Sequence, residues 1–292
     1  MKTCNVTKRI AAAFLAIVMV ITLIPATPAN AASKKKLTMF VGESFYVTNY
    51  TKVKSVKTSK KSVVKVKKDR SANYKAILIA KKAGKATVTV RTQRGTMKYA
   101  VTVKKLNFKV SAKNLGNGNV LLTVTNKTKQ IFDSVKVRYT VKDSNGNVIA
   151  RESVNVYSLI PGKASYAKAY FTLGSGVTVS SCTGGVISVE RYPNRAYKNR
   201  SSKVNVKAIN EQNNGSEVSF QINAVNNSSA RVSGNAFILV EDAANNIIDV
   251  MSYSIYLQEH AVDSSITKRI YKNLCPDYDH YKIVVRAYSS TY

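Results

Sequence analysis

Catalysis by side chains needs a nucleophile, a base and a group that orients them. The 292-residue chain offers only two histidines, His260 and His280. His280 stands in Asp277-Tyr278-Asp279-His280, which reads either as an acid–base or metal cluster or as a solvated loop before a final strand, Lys282–Tyr288. The loop is the reading carried forward. The 15 acids are sparse and sit mostly in turns, which leaves no evident carboxylate pair for glycoside hydrolysis. Glycine-rich phosphate loops, zinc-spaced Cys/His sets and a G-x-S-x-G elbow are all missing. Asp242, Asn245, Asn246 and Asp249 carry oxygens that suit Ca²⁺, but the same residue types are what a hairpin turn requires. The expectation is a non-enzyme with no catalytic residue, no metal and no cofactor.

Basic residues are the more promising chemistry. Residues 33–105 hold 21 basic and two acidic side chains, a balance of +19 within a chain total of +31. The balance falls to +11 over 106–205 and to −2 over 206–292. Lys34, Lys35, Lys36, Lys60, Lys61, Lys67, Lys68, Arg70, Lys81 and Lys82 cluster at the expected strand ends and turns of the first segment, and are the candidate polyanion-binding residues. A domain this lopsided repels itself unless counter-ions or an anionic partner screen it. Lysine also keeps sheet edges from pairing with other chains and keeps surfaces soluble. Both readings stand on sequence alone. Tyr192-Pro193-Asn194-Arg195-Ala196-Tyr197-Lys198-Asn199-Arg200 mixes aromatic and basic residues as a stacking surface does, but serves equally as an inter-domain linker.

The elements that must carry these residues read with period two. Ala86, Val88 and Val90 alternate with Thr87, Thr89 and Arg91; Val135, Val137, Tyr139 and Val141 alternate with Lys136, Arg138, Thr140 and Lys142. Turn chemistry separates them: Val41-Gly42-Glu43, Ala83-Gly84-Lys85, Asp143-Ser144-Asn145-Gly146 and Pro161-Gly162. No stretch after residue 32 carries a 3.6-residue apolar stripe. The expected fold class is all-β: three tandem Ig-like antiparallel β-sandwich domains after a cleaved signal peptide.

The leader reading rests on Lys2, Lys8 and Arg9, the uncharged run Ile10–Ile24, and small residues Ala29-Asn30-Ala31. Cleavage is expected after Ala31, giving a mature chain without a membrane span and an extracellular, secreted or loosely wall-associated location. With no terminal sorting motif in view, any attachment is expected to be non-covalent. Two cysteines remain, Cys182 and Cys275, either bridged or, as preferred here, two free and partly buried thiols. Asn-x-Ser/Thr triplets at Asn126, Asn199 and Asn214 read as turn chemistry rather than glycan acceptors.

Residues 33–105 resemble the bacterial Ig-like domain, group 2. The resemblance is carried by Leu37-Thr38-Met39-Phe40-Val41-Gly42-Glu43-Ser44, Ser62–Val66, Ala80–Val90 and Tyr99–Val103. It implies an adhesive or spacer module of a surface protein. Residues 106–204 and 205–292 read as a duplication, since Asp143, Asn147, Val148 and Ile149 match Asp242, Asn246, Ile247 and Ile248 at a constant offset. Both copies are similar to FxLYD Ig-like modules, through Tyr139–Asp143 and, one residue out of step with the Asp242 alignment, Phe237–Glu241. Strand parity in the second copy stays open.

The function expected from these readings is a non-enzymatic secreted or cell-surface protein with adhesive or structural modules. Its basic N-terminal domain would be retained on an anionic cell-envelope polymer or glycan, and the C-terminal modules would meet a host or neighbour surface ligand. Export argues against nucleic acid as the physiological polyanion. The alternatives are a freely secreted spacer or adhesin whose lysines serve solubility, and a carbohydrate-binding accessory module or hydrolase.

Overall fold

The fold is that of a computed structural model, which describes residues 34–48, 51–69, 72, 74–193 and 195–291. The leader stretch and Arg70 lie outside the described residues.

The first sandwich is built from β1 (Lys35–Phe40), β2 (Ser44–Thr48), β3 (Val53–Thr58), β4 (Val64–Lys68), β5 (Lys75–Ala80), β6 (Gly84–Thr92) and β7 (Thr96–Lys104). Its sheets have the orders β1-β7-β6-β3 and β2-β5-β4, and β1 runs parallel to β7. The alternation in the sequence is the alternation of the sheet. Ala86, Val88 and Val90 face the core with Met39, Val47, Leu78 and Val101, while Thr87 and Thr89 face out.

The second sandwich comprises β8 (Phe108–Gly116), β9 (Asn119–Asn126), β10 (Phe132–Asp143), β11 (Val148–Leu159), β12 (Ala164–Tyr170) and β13 (Val179–Glu190). Its sheets are β12-β9-β8 and β11-β10-β13. The third comprises β14 (Ala196–Asn199), β15 (Val204–Asn213), β16 (Glu217–Asn226), β17 (Val232–Glu241), β18 (Ile247–Leu257), β19 (Val262–Tyr271) and β20 (His280–Thr291). Its sheets are β14-β20-β17-β18 and β15-β16-β19. The described residues are therefore all-β, three Ig-like sandwiches in tandem. Among the described residues the helical content is one 3-10 turn, Ser201–Lys203, and no helix is long and apolar enough to cross a membrane.

Equivalent hydrogen bonds recur in the second and third sandwiches. Buried Asn126 donates through Nδ2 to Gln130 O and Leu159 O, and accepts at Oδ1 from the Thr128 N–H and hydroxyl. Asn226 makes the same four bonds, to Ala230 O and Gln258 O and from Ser228. Asp143 and Asp242 each close a hairpin by accepting from backbone N–H groups and from Asn147 or Asn246 Nδ2. Asp242 and Asn246 thus spend their oxygens and amide on the turn, and Asp249 turns away to Lys168, 2.7 Å off. The residues of the calcium reading are thus divided between this turn and the Lys168 contact.

These two sandwiches lie face against face. Leu121 of β9 packs with Phe237, Leu239 and Val250 of the third sandwich, and Tyr166 meets the Phe237 ring edge-on at 5.5 Å. Ile238 and Val240 fill the third sandwich's own core. With both faces of β17 covered, seven successive residues from Asn235 to Glu241 are buried, so the period of two disappears from the strand. That is why parity there is illegible in the sequence. Lys168–Asp249, Lys113 Nζ to Ile247 O at 3.0 Å, and buried Ser158 Oγ to Asn235 Oδ1 at 2.8 Å add polar registration. The stretch from Tyr192 to Arg200, which reads equally as a linker, contributes β14 to the edge of β20. From there Tyr197 and, on β20, Tyr288 donate their hydroxyls to the two oxygens of Asp133 in the second sandwich.

Candidate functional site

Nine of the ten candidate polyanion-binding residues fall in the described structure, and all nine are exposed. They do not converge. Lys60 and Lys61 lie in the β3–β4 turn and Lys81 and Lys82 in the β5–β6 turn. Val63 O accepts the N–H of Lys81 at 2.8 Å and of Lys82 at 3.4 Å, which sets these two turns side by side at the end facing the second sandwich. Lys34 and Lys35 precede and open β1 at the far end, and Lys68 closes β4 there, opposite Ala76 at the start of β5. Lys36 and Lys67 project from the outer faces of the two sheets. The outcome is a domain sheathed in cations, with one four-lysine group at its inner end.

The two carboxylates available to these cations are Glu43 and Asp69. Glu43 is wholly buried, with its side chain turned to the joint with the second sandwich. There Arg191 Nε lies 3.1 Å from Glu43 Oε1, and Arg191 Nη2 donates to Thr38 O at 3.2 Å. The Phe40 N–H donates to Glu43 Oε2 at 2.8 Å. Burial, outweighing the Arg191 charge, holds the Glu43 carboxyl above its ordinary range. Around the pair, Phe40 leaves its own sandwich and packs edge-on against Phe132 at 5.1 Å in the core of the second, beneath the Arg191 guanidinium. One of the two acids in the basic domain therefore serves the joint rather than the surface cations.

Beside the joint a cleft of about 660 Å³ opens between β2 and residues 188–193. Tyr46, 55% exposed, stands on one wall and Tyr192, 49% exposed, on the other. Tyr192 opens the aromatic and basic stretch that the sequence marks for stacking, whereas Tyr46 and the joint pair carry no signal in the sequence. Arg191 reaches an acid 148 positions away, a separation that no local pattern announces.

The histidines stand apart. His260 is exposed in the β18–β19 turn, near the start of β17, while His280 pairs with Glu241 at its end. Ten strand residues, about 30 Å, separate those ends. His280 has Asp279 2.9 Å from Nδ1 and the buried Glu241 3.2 Å from Nε2. Lys282 Nζ also contacts Glu241. These contacts tie the end of the sandwich together. Cys182 and Cys275 are separate thiols, each raised by burial. No group of three or more His, Cys, Asp or Glu side chains that could hold a metal ion occurs among the described residues.

No family model matches the chain, and no curated protein matches it. Among solved structures it is similar to bovine butyrophilin, at 10% identity and a TM-score of 0.17, covering 79% of this chain and 97% of that one. It is similar to the I9–I11 tandem of titin at 12% identity and 0.20, covering 88% and 95%. It is similar to the FN1–FN3 domains of chicken CNTN1 at 10% and 0.16, covering 88% and 93%. At such TM-scores these likenesses carry no argument; the fold rests on the sheets themselves.

Proposed function

We propose that the protein is a non-enzymatic extracellular binding module whose N-terminal sandwich holds an anionic envelope polymer, such as a polyphosphate-containing wall polymer or a charged glycan. The observation that carries this reading is the uncompensated charge of residues 33–105, with 21 basic residues against two acids, of which Glu43 is buried on Arg191. Lysines spread over both ends and both outer faces suit a flexible polymer that wraps, since a chain of repeating charges needs contact area rather than a pocket. Each phosphate or carboxylate engaged releases counter-ions, so affinity falls steeply with salt. The second and third sandwiches, packed face against face, form the stiff base from which the basic domain projects. Spread over this area, the same lysines also guard sheet edges, and the two roles are compatible.

The experiment is cosedimentation of the mature protein with purified cell envelopes and with teichoic-type polymer. Binding at low ionic strength that is stripped by high salt supports the reading. Binding that withstands salt, or no binding at low salt, overturns it.

A further inference from the structure

The first sandwich has four edge strands, β1, β3, β2 and β4. Three carry lysines: Lys35 and Lys36 on β1, Lys54 and Lys57 on β3, and Lys65, Lys67 and Lys68 on β4. Lysine on an edge strand is a standard guard against unwanted pairing. β2, with the sequence Ser-Phe-Tyr-Val-Thr, has none. Its backbone is also open. Ala80 N–H donates to Glu43 O, so the bonded pairs of the β2–β5 ladder fall on alternate residues, and Ser44, Tyr46 and Thr48 turn their N–H and C=O groups away from β5. This unguarded edge is one wall of the 660 Å³ cleft.

The opposite wall, from the second sandwich, carries Ser188 and Tyr192. No hydrogen bond of the described structure uses the hydroxyl of Ser44, Tyr46, Thr48, Ser188 or Tyr192. The Arg195 guanidinium lies 4.4 Å from the centre of the Tyr192 ring, which stays 49% exposed. Two part-exposed phenol rings on facing walls, five unused hydroxyls and an open strand edge make a set with many weak donors and acceptors and two flat apolar plates. The walls are held in register by the buried Glu43–Arg191 pair at the cleft's base.

We propose that this cleft binds a neutral oligosaccharide of equatorially substituted pyranose rings, stacked on Tyr46 and Tyr192 and with its hydroxyls bonded to the serine, threonine and backbone groups. A pyranose with equatorial hydroxyls presents an apolar C–H face to an aromatic ring and a rim of paired donors and acceptors to polar walls. An added peptide strand is the competing occupant of an open edge, but it calls for alternating side-chain sockets along the strand, whereas the facing wall, residues 188–193, is largely polar, with the hydroxyls of Ser188 and Tyr192 beside Glu190 and Arg191. No lysine lines the cleft, and its ligand is distinct from the polyanion proposed above.

The test is calorimetric titration of the full mature chain with chitotetraose, cellotetraose and maltotetraose, each in low and high salt. Saturable binding of at least one, indifferent to salt, is expected. Tyr46→Ala and Tyr192→Ala should each weaken it about tenfold or more, equivalent to about 1.4 kcal/mol. Both rings are about half exposed, so circular dichroism and the thermal midpoint should stay unchanged. Tyr46→Phe, which keeps the plate and removes a hydroxyl, should fall between. Failure of all three sugars to bind, binding that survives both tyrosine variants, or binding that disappears with salt or on replacing Lys60, Lys61, Lys81 and Lys82 overturns the proposal. Because polyanion binding is salt-dependent and this is not, the two readings fail separately.

Discussion

Arg191 of the second sandwich reaches across the joint to Glu43 of the first, 3.1 Å away, with both side chains almost completely shielded from water. Removing one partner strands the other charge without solvent, at a cost of about 3–5 kcal/mol. Glu43→Ala and Arg191→Ala are therefore each expected to destabilise the first two sandwiches by about that amount in urea unfolding. Replacing both at once with apolar residues of similar volume should cost far less than the sum. Additive losses would show that the pair is not coupled.

Asn126 has no exposed surface and makes four hydrogen bonds. Asn126→Ala leaves Gln130 O, Leu159 O and the Thr128 donors with unmet bonds. At about 1–3 kcal/mol for each buried group left unsatisfied, a loss of at least about 2 kcal/mol is expected, and Asn226→Ala should match it in the third sandwich. The same burial predicts that Asn126 stays unmodified when the protein is expressed in a glycosylating host, which intact-mass analysis checks.

The hairpin carboxylates Asp143 and Asp242 are held below the ordinary range, chiefly by the side-chain bonds from Asn147 and Asn246. A folded-state value below the unfolded one means that their stabilisation is complete above the ordinary aspartate range and fades as pH falls through the depressed values. Glu43, held above its range, works in the opposite sense: its share of stability is complete below the ordinary glutamate range and is lost as pH rises from there through the raised value. An Asp143→Asn/Asp242→Asn variant should be less stable than the parent at neutral pH and converge on it in strong acid. Thermal midpoints against pH test this; parallel curves would contradict it.

Phe237 is buried not in its own core but under Leu121 and Tyr166 of the second sandwich. Phe237→Asp should separate the second and third sandwiches while leaving the core around Ile238 and Val240 intact. The expected result is a larger radius of gyration by small-angle scattering and unfolding that splits into two steps. A single unchanged transition would mean that the face contact is dispensable.

Period-two alternation makes the β-sandwich class legible wherever a strand has one wet face, as in β6, and the turn residues of Asp143 and Asp242 mark the duplication. It fails at β17, because a neighbouring domain buries the second face and no residue pattern within the strand records a neighbour. It fails at Ala196–Asn199 as well, where four residues are too few to show a period and pairing is set by β20. The lysine abundance is plain in the composition, while its distribution over both ends of the sandwich depends on which turns lie side by side. Glu43 is readable only as a turn acid. Its meaning comes from Arg191, whose position beside it is set by the packing of one sandwich on the next.

The central claim is that surface charge on the first sandwich provides the affinity for an anionic polymer. The direct measurement is the slope of log K against log salt for teichoic-type polymer, for the parent and for a Lys60→Ala/Lys61→Ala/Lys81→Ala/Lys82→Ala variant. A steep negative slope in the parent is predicted. In the variant it should be shallower, by up to about 0.9 for each phosphate-bound lysine removed, by analogy with duplex DNA. A flat slope in the parent, or an identical slope in the variant, would contradict the account.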